Sequence, residues 1–252
     1  MIIDTHAHLC DAQFDADRDE VLKRAFENSI DKIFEIACET SVWDKALEFS
    51  KTDGVYVSFG IHPHEAQKAK PEDFTKLETL LKNKKTIALG EIGLDYHYDL
   101  SPRKIQREIF FKQLDIAVKL DIPIIIHCRS AYEDLAEIFK NYQKLPKGVI
   151  HCYAGTPQEA EFFTGFGFLL GIDGPLTYPK SDNARLVAAQ TDISKLLIET
   201  DCPYLAPQKY RGKRNEPSYI TETLKALAAI KRVSYEEAAA ITSQNAIKLF
   251  GI

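Results

Sequence analysis

Eight short runs rich in β-branched and apolar residues recur along the chain, separated by stretches with apolar residues at helical spacing, and no other feature limits the fold as much. The runs are Ile2–His6, Lys32–Ala37, Val55–Gly60, Thr86–Glu91, Ile122–His127, Gly148–His151, Gly167–Ile172 and Lys195–Thr200. Val21, Leu22, Ala25 and Phe26 show the helical spacing between the first two, as do Ile109, Phe110, Leu114, Ala117 and Val118 between the fourth and fifth. Strands joined by helices run parallel through right-handed crossovers. Eight such units in 252 residues match an α/β protein of the (β/α)8 TIM barrel type, and a further helix, Tyr235–Phe250, follows the eighth. An open doubly wound sheet satisfies the same alternation. The count and the residues at the run ends favour the barrel. No Gly/Ser linker, low-complexity tract or internal repeat divides residues 1–252, so a single domain is expected.

Polar residues gather where these runs end. His6 and His8 close the first, Glu91 the fourth, His127 the fifth, His151 the sixth, and Asp201 follows the eighth. Side chains alternate along a strand, so His6 and His8 point the same way, roughly 6.6 Å apart at about 3.3 Å per residue. In a closed barrel the C-terminal strand ends converge on one mouth, where barrel enzymes place their sites. Four imidazoles and two carboxylates meeting there describe a metal centre. Six ligands exceed what one tetrahedral ion uses, whereas two ions sharing a carboxylate would use them all and clamp a hydrolysis from both sides. Glu91 is the expected bridge, since its strand lies between the two histidine groups, and Asp201 is expected to bind one ion and take a proton from the attacking water.

Cys128, Cys152 and Cys202 each follow a ligand candidate, yet strand alternation turns such neighbours outward, where a free thiol packs as a small hydrophobe. The remaining nitrogen and oxygen donors suit zinc, manganese or magnesium. Five cysteines without a CxxC pair read as reduced thiols. Asp4, His6, His8 and Asp11 interrupt the apolar start, so no signal peptide is expected, and no apolar run approaches the roughly 20 residues of a membrane helix. The expected location is cytoplasmic, with no membrane contact and no obligate protein partner. A net charge of −5 argues against stoichiometric coating of nucleic acid, but not against an enzyme that visits it.

Eight segments in order resemble the TatD family of metal-dependent hydrolases, within the amidohydrolase-like barrels. They are Ile3-Asp4-Thr5-His6-Ala7-His8-Leu9, Gly60-Ile61-His62-Pro63-His64, Gly90-Glu91-Ile92-Gly93-Leu94-Asp95-Tyr96, Ile126-His127-Cys128-Arg129, Ile150-His151-Cys152-Tyr153-Ala154-Gly155, Glu199-Thr200-Asp201-Cys202-Pro203-Tyr204-Leu205, Arg211-Gly212-Lys213-Arg214-Asn215-Glu216-Pro217 and Asn245-Ala246-Ile247-Lys248-Leu249-Phe250-Gly251. The resemblance implies two divalent ions, one held by His6, His8, Glu91 and Asp201, the other by Glu91, His127 and His151. It also implies hydrolysis of phosphodiester bonds, with DNA as a transient substrate and an exonuclease as the typical activity. Two positions depart from the family's pattern: Ser130 follows Arg129 where a carboxylate is frequent, and Tyr153 replaces the commoner phenylalanine. Both bear on substrate contacts rather than ligands.

Several further residues are read toward substrate. His62 is taken as a substrate-side contact, and His64 either shares that role or caps the following loop. His97 is a solvated or substrate-adjacent group. Arg129 is expected at the mouth, able to grip a phosphate with two N–H groups. Arg211, Lys213 and Arg214 form a basic run that would draw a polyanion to an acidic protein, with Glu216 folding back on backbone donors. Trp43 is read as core, and Tyr96 and Tyr153 as platforms for a nucleobase. The leading expectation is a deoxyribonuclease. The alternatives are an amidohydrolase, esterase or phosphoesterase acting on a small molecule, and a metal-binding protein without turnover.

Overall fold

The alternating pattern is realised, in a computed structural model describing residues 1–252, as one sheet of eight parallel strands in the order β1 to β8. The strands are β1 (Ile3–Ala7), β2 (Lys32–Ala37), β3 (Val55–Phe59), β4 (Thr86–Asp95), β5 (Ile124–Arg129), β6 (Gly148–Ile150), β7 (Leu169–Ile172) and β8 (Leu196–Ile198). Helices α1 (Arg18–Glu27), α2 (Trp43–Phe49), α3 (Pro71–Leu80), α4 (Arg103–Leu120), α5 (Tyr132–Asn141), α6 (Pro157–Gly165), α7 (Asp182–Gln190) and α8 (Ile220–Lys231) follow the strands in turn. This is a (β/α)8 TIM barrel. Both faces of its strands are covered, which is why the β5 run Ile124-Ile125-Ile126 is apolar without alternation. No helix is long and apolar enough to cross a membrane.

The barrel interior is filled by Ile3, Phe34, Ile36, Ile87, Ile125, Val149, Leu169 and Leu197, and its lower end is stoppered by α9 (Tyr235–Phe250). Phe250 meets the Phe34 ring edge-on with centroids 5.1 Å apart, and Asn245 donates to the carbonyls of Ile193 and Leu196 below β8. The additional C-terminal helix therefore seals the floor, which leaves the C-terminal strand ends as the open mouth.

Closure between β1 and β8 is made by side chains as much as by backbone. A single bridge joins Ala7 to Cys202, with Asp201 N–H on the His6 carbonyl at 2.9 Å and His8 N–H on the Cys202 carbonyl at 2.8 Å. Above β8 the Asp4 carboxylate accepts from the Thr200 backbone N–H at 3.0 Å and from its hydroxyl at 2.6 Å. Burial pushes the Asp4 carboxyl up to about 7 against those hydrogen bonds.

Two irregularities aim the site. The β1–β2 register slips by a residue between Asp4 and Ala7, and the β4–β5 register slips between Gly90 and Ile92, which makes Glu91 the extra residue of a bulge. β4 also runs four residues beyond its expected end at Glu91. Gly93 permits this: at φ +143° a Cβ there would sit 2.0 Å from the His127 carbonyl oxygen, so only glycine lets β4 pass β5 so closely.

Candidate metal centre

All six expected ligands meet at the mouth, with Glu91 in the middle. Its Oε1 lies 2.7 Å from both His127 Nδ1 and His151 Nε2, while its Oε2 lies 3.4 Å from His6 Nε2 and 3.9 Å from His8 Nε2. Each oxygen thus faces one pair of imidazoles. Asp201 completes the second group, with Oδ1 3.4 Å from His8 Nε2 and 3.8 Å from His6 Nε2. The strand-end geometry differs from simple alternation, because β1 stops at Ala7 and the ring tips of His6 and His8 converge to 3.2 Å. His6 also stacks on His151, centroids 3.9 Å apart.

Hydrogen bonds fix which ring nitrogen His8, His127 and His62 present. His8 Nδ1 lies 3.0 Å from the Ile36 carbonyl, which can only accept, so Nδ1 carries the proton and Nε2 keeps its lone pair. His127 Nε2 lies 3.0 Å from Asp95 Oδ2, an arrangement that leaves Nδ1 free toward Glu91. His62 behaves differently. Its Nδ1 accepts the His64 N–H at 3.2 Å, so the N–H is on Nε2, 3.5 Å from Glu91 Oε1. His62 is buried beside the bridge as a donor to it, and it also caps the 3-10 turn Pro63–Lys68. His64 bonds Asp95 Oδ2 at 2.9 Å, and His97 is exposed.

The electrostatics follow from packing carboxylates among imidazoles. Burial pushes the Glu91 carboxyl up, but the His151 and His62 charges and the bonds with His127 and His151 outweigh it and hold it well below the usual range. Asp201 is likewise held down against burial, chiefly by His8. Burial lowers His151 and His8, yet Glu91 and Glu199 raise the first, and Asp201 with Cys38 the second, well above the ordinary 6.5. Burial takes His62 down to about 4.

This donor set fits divalent ions. His6, His8 and Asp201 each bring a donor atom within 4.8 Å of the others on one side, and on the other the His127 and His151 nitrogens each lie 2.7 Å from Glu91 Oε1. In the metal-free protein, raised His8 and His151 contribute stability that is complete below the ordinary 6.5 and lost as pH rises through their folded values. Glu91 contributes stability present above 4.5 and lost as pH falls through its depressed value. Divalent ions compete with protons for the same nitrogens. The rise in Tm produced by saturating zinc is therefore expected to grow between about pH 6 and about pH 8, measured by thermal scanning with and without metal. A pH-independent rise would place the binding on other groups.

The residues read toward substrate divide. Arg129 is exposed at the end of β5, its guanidinium 4.8 Å over the Tyr98 ring, and Arg211 is exposed over Tyr178 at 4.0 Å. Lys213 is exposed. Arg214 is not available to a phosphate: it grips Asp17 at 2.9 and 2.7 Å, donates to the Gln13 carbonyl and lies over the Phe14 ring. Tyr153 is not a stacking platform, because it is 5% exposed with its ring against Tyr132 and its hydroxyl on the Thr156 carbonyl. Tyr96 is tied to Asp134 and covered by Arg103. The exposed rings near the centre are Tyr98, edge-on to His64 with Arg129 over one face, and Tyr204, edge-on to His8. Glu216 pairs with Arg24 rather than with backbone donors, and Trp43 is fully buried as expected.

Sequence reasoning missed Asp95 and Glu199. Asp95 lies four residues beyond Glu91, past the expected end of the strand, and meets the other nitrogen of His127. Glu199, two residues before Asp201, sits 3.6 Å from His151 Nδ1.

A family model described as TatD related DNase matches residues 3–251. The chain is 38% identical over 254 residues to the uncharacterized metal-dependent hydrolase YabD of Bacillus subtilis, with 100% of both covered. It is 31% identical to the 3'-5' ssDNA/RNA exonuclease TatD of Cronobacter sakazakii, covering 99% of this chain and 97% of that one. The crystal structure of YjjV, a TatD homologue from Escherichia coli K12, superposes with a TM-score of 0.94 at 30% identity, over 100% of this chain and 98% of the other. With its barrel, its six converging imidazoles and carboxylates and these matches along its whole length, the chain belongs to the TatD family of metal-dependent hydrolases.

Proposed function

We propose that this hydrolase is a nuclease that trims the end of a single DNA strand at a centre holding two divalent ions. The observation that carries the reading is Glu91, whose two oxygens each face a separate group of imidazoles at the open end of the barrel. When bound, a pair of divalent ions supplies Lewis acidity to a phosphodiester and lowers the pKa of the attacking water. His6, His8 and Asp201 would hold one ion, His127 and His151 the other, and Glu91 both. Asp201, kept ionised and only slightly exposed, is placed to accept the proton lost by the water. Arg129 offers two N–H groups to a phosphate beside the centre, and Arg211 and Lys213 extend positive charge along the segment after β8. Tyr98 and Tyr204 present faces on which bases could stack. The activity named for the Cronobacter relative supports the same substrate class.

The test is hydrolysis of end-labelled single-stranded DNA by metal-stripped protein resupplied separately with magnesium, manganese or zinc. The expected result is a ladder of shortened products that requires metal, the labelled end giving the polarity. Metal-dependent hydrolysis of a small ester or amide with the strand left intact would overturn the nucleic-acid assignment and keep the hydrolase.

A further inference from the structure

A second cluster of ligand-type side chains shares Asp201 with the centre. Cys152, Asp173 and Asp201 each place one thiol sulfur or carboxylate oxygen within 4.8 Å of the others. Alternation would turn Cys152 outward from the face that carries His151, but β6 ends at Ile150 and Cys152 adopts φ +44°, so the chain has left the strand before it arrives. Its backbone N–H is pinned by Glu199 Oε1 at 2.5 Å, which sets the direction of the turn. Cys128 and Cys202, in contrast, are buried in the apolar layer as alternation predicts.

Asp173 supplies an independent observation. It follows β7, is 6% exposed, and its Oδ2 has no hydrogen-bond partner. A buried carboxylate oxygen without a donor is costly, and native proteins rarely leave one so. The ion pairs of the neighbouring Glu199 and Asp201 are with histidines alone, so no lysine or arginine is placed to neutralise this corner. A cation among the three side chains would supply the partner that Asp173 Oδ2 lacks. Two donors at about 2.0 and 2.3 Å from a tetrahedral ion lie roughly 3.5 Å apart, so modest rotamer movement closes the set.

We propose that Cys152, Asp173 and Asp201 form a third cation site, distinct in chemistry from the dinuclear centre because it includes a thiolate. One sulfur with two carboxylates selects a thiophilic divalent ion of zinc's type and discriminates against magnesium. Asp201 is shared: its Oδ1 lies by His6 and His8 in the centre, and its carboxylate also belongs to the group with Cys152 and Asp173. The site is thus a structural anchor for the residue that takes the proton.

The test uses the full chain, stripped of metal and reloaded with cobalt(II), whose thiolate complexes show a sulfur-to-metal charge-transfer band in the near ultraviolet. The wild-type protein is expected to show the band, Cys152→Ser to lack it, and Cys38→Ser and Cys128→Ser to keep it. Zinc content by mass spectrometry is expected to fall by about one equivalent per chain in Cys152→Ser and in Asp173→Asn. Glu91→Ala, which disturbs the dinuclear centre, is expected to keep the band. Absence of the band in the wild type, or its persistence in Cys152→Ser, would overturn the proposal. Should Cys152→Ser fail to fold, the wild-type spectrum and the zinc content of Asp173→Asn decide the matter.

Discussion

Glu91→Ala is expected to abolish metal-dependent hydrolysis and to weaken metal binding more than any other single substitution in the chain. Glu91 alone touches both halves of the centre, with His127, His151 and His62 on one oxygen and His6 and His8 on the other. Loss of a hydrogen-bond partner to a ligand costs about 10–100-fold in metal affinity, and loss of a shared ligand must exceed that. The change also removes the negative charge that raises His151 and His127, so the metal-free protein loses pairing at the same stroke. Glu91→Gln separates charge from volume: it fills the same space, bonds the same rings and should be equally inactive. Calorimetric metal titration alongside turnover checks both variants, with circular dichroism to confirm the fold. Turnover within tenfold of wild type in either variant would remove Glu91 from its place as the shared ligand.

The contrast between what alternation revealed and what it hid has physical causes. β2 and α9 fall on their expected bounds, because Lys32–Ala37 and Tyr235–Phe250 carry their period without interruption. The convergence of His6, His8, Glu91, His127, His151 and Asp201 was legible for a related reason: a histidine or acid at the end of an apolar run has little to do except face the mouth. The expected strand stopped at Glu91, whereas β4 continues past Gly93, which the close approach of β5 requires, to Asp95, so Asp95 was lost with the end of the strand. Alternation also failed two residues past a strand, as Cys152 shows. The assignments that failed outright depended on partners far away in sequence. Arg214 meets Asp17 across the chain closure, and Tyr153 turns inward to Tyr132 on α5. No local pattern encodes either contact.

Asp201→Asn is expected to lower turnover by about 10²–10⁴-fold, the range a positioned general base contributes, while leaving the fold and the histidine-held metal largely intact. Asparagine is the informative replacement. Asp201 adopts φ +55°, a conformation that asparagine tolerates and alanine strains, and its backbone N–H is needed on the His6 carbonyl for barrel closure. The amide retains the size and one oxygen of the side chain but cannot take up a proton. In the wild type, the His8 hydrogen bond and the surrounding imidazoles keep the carboxyl below its ordinary 3.8 in spite of burial, so it is ionised wherever the enzyme would work. The decisive comparison is turnover against metal concentration. If Asp201 accepts the proton, the defect lies in kcat and persists when the centre is saturated with metal. If Asp201 serves only as a ligand, saturating metal restores turnover, and the base must be sought among the other ionised groups that face Glu91.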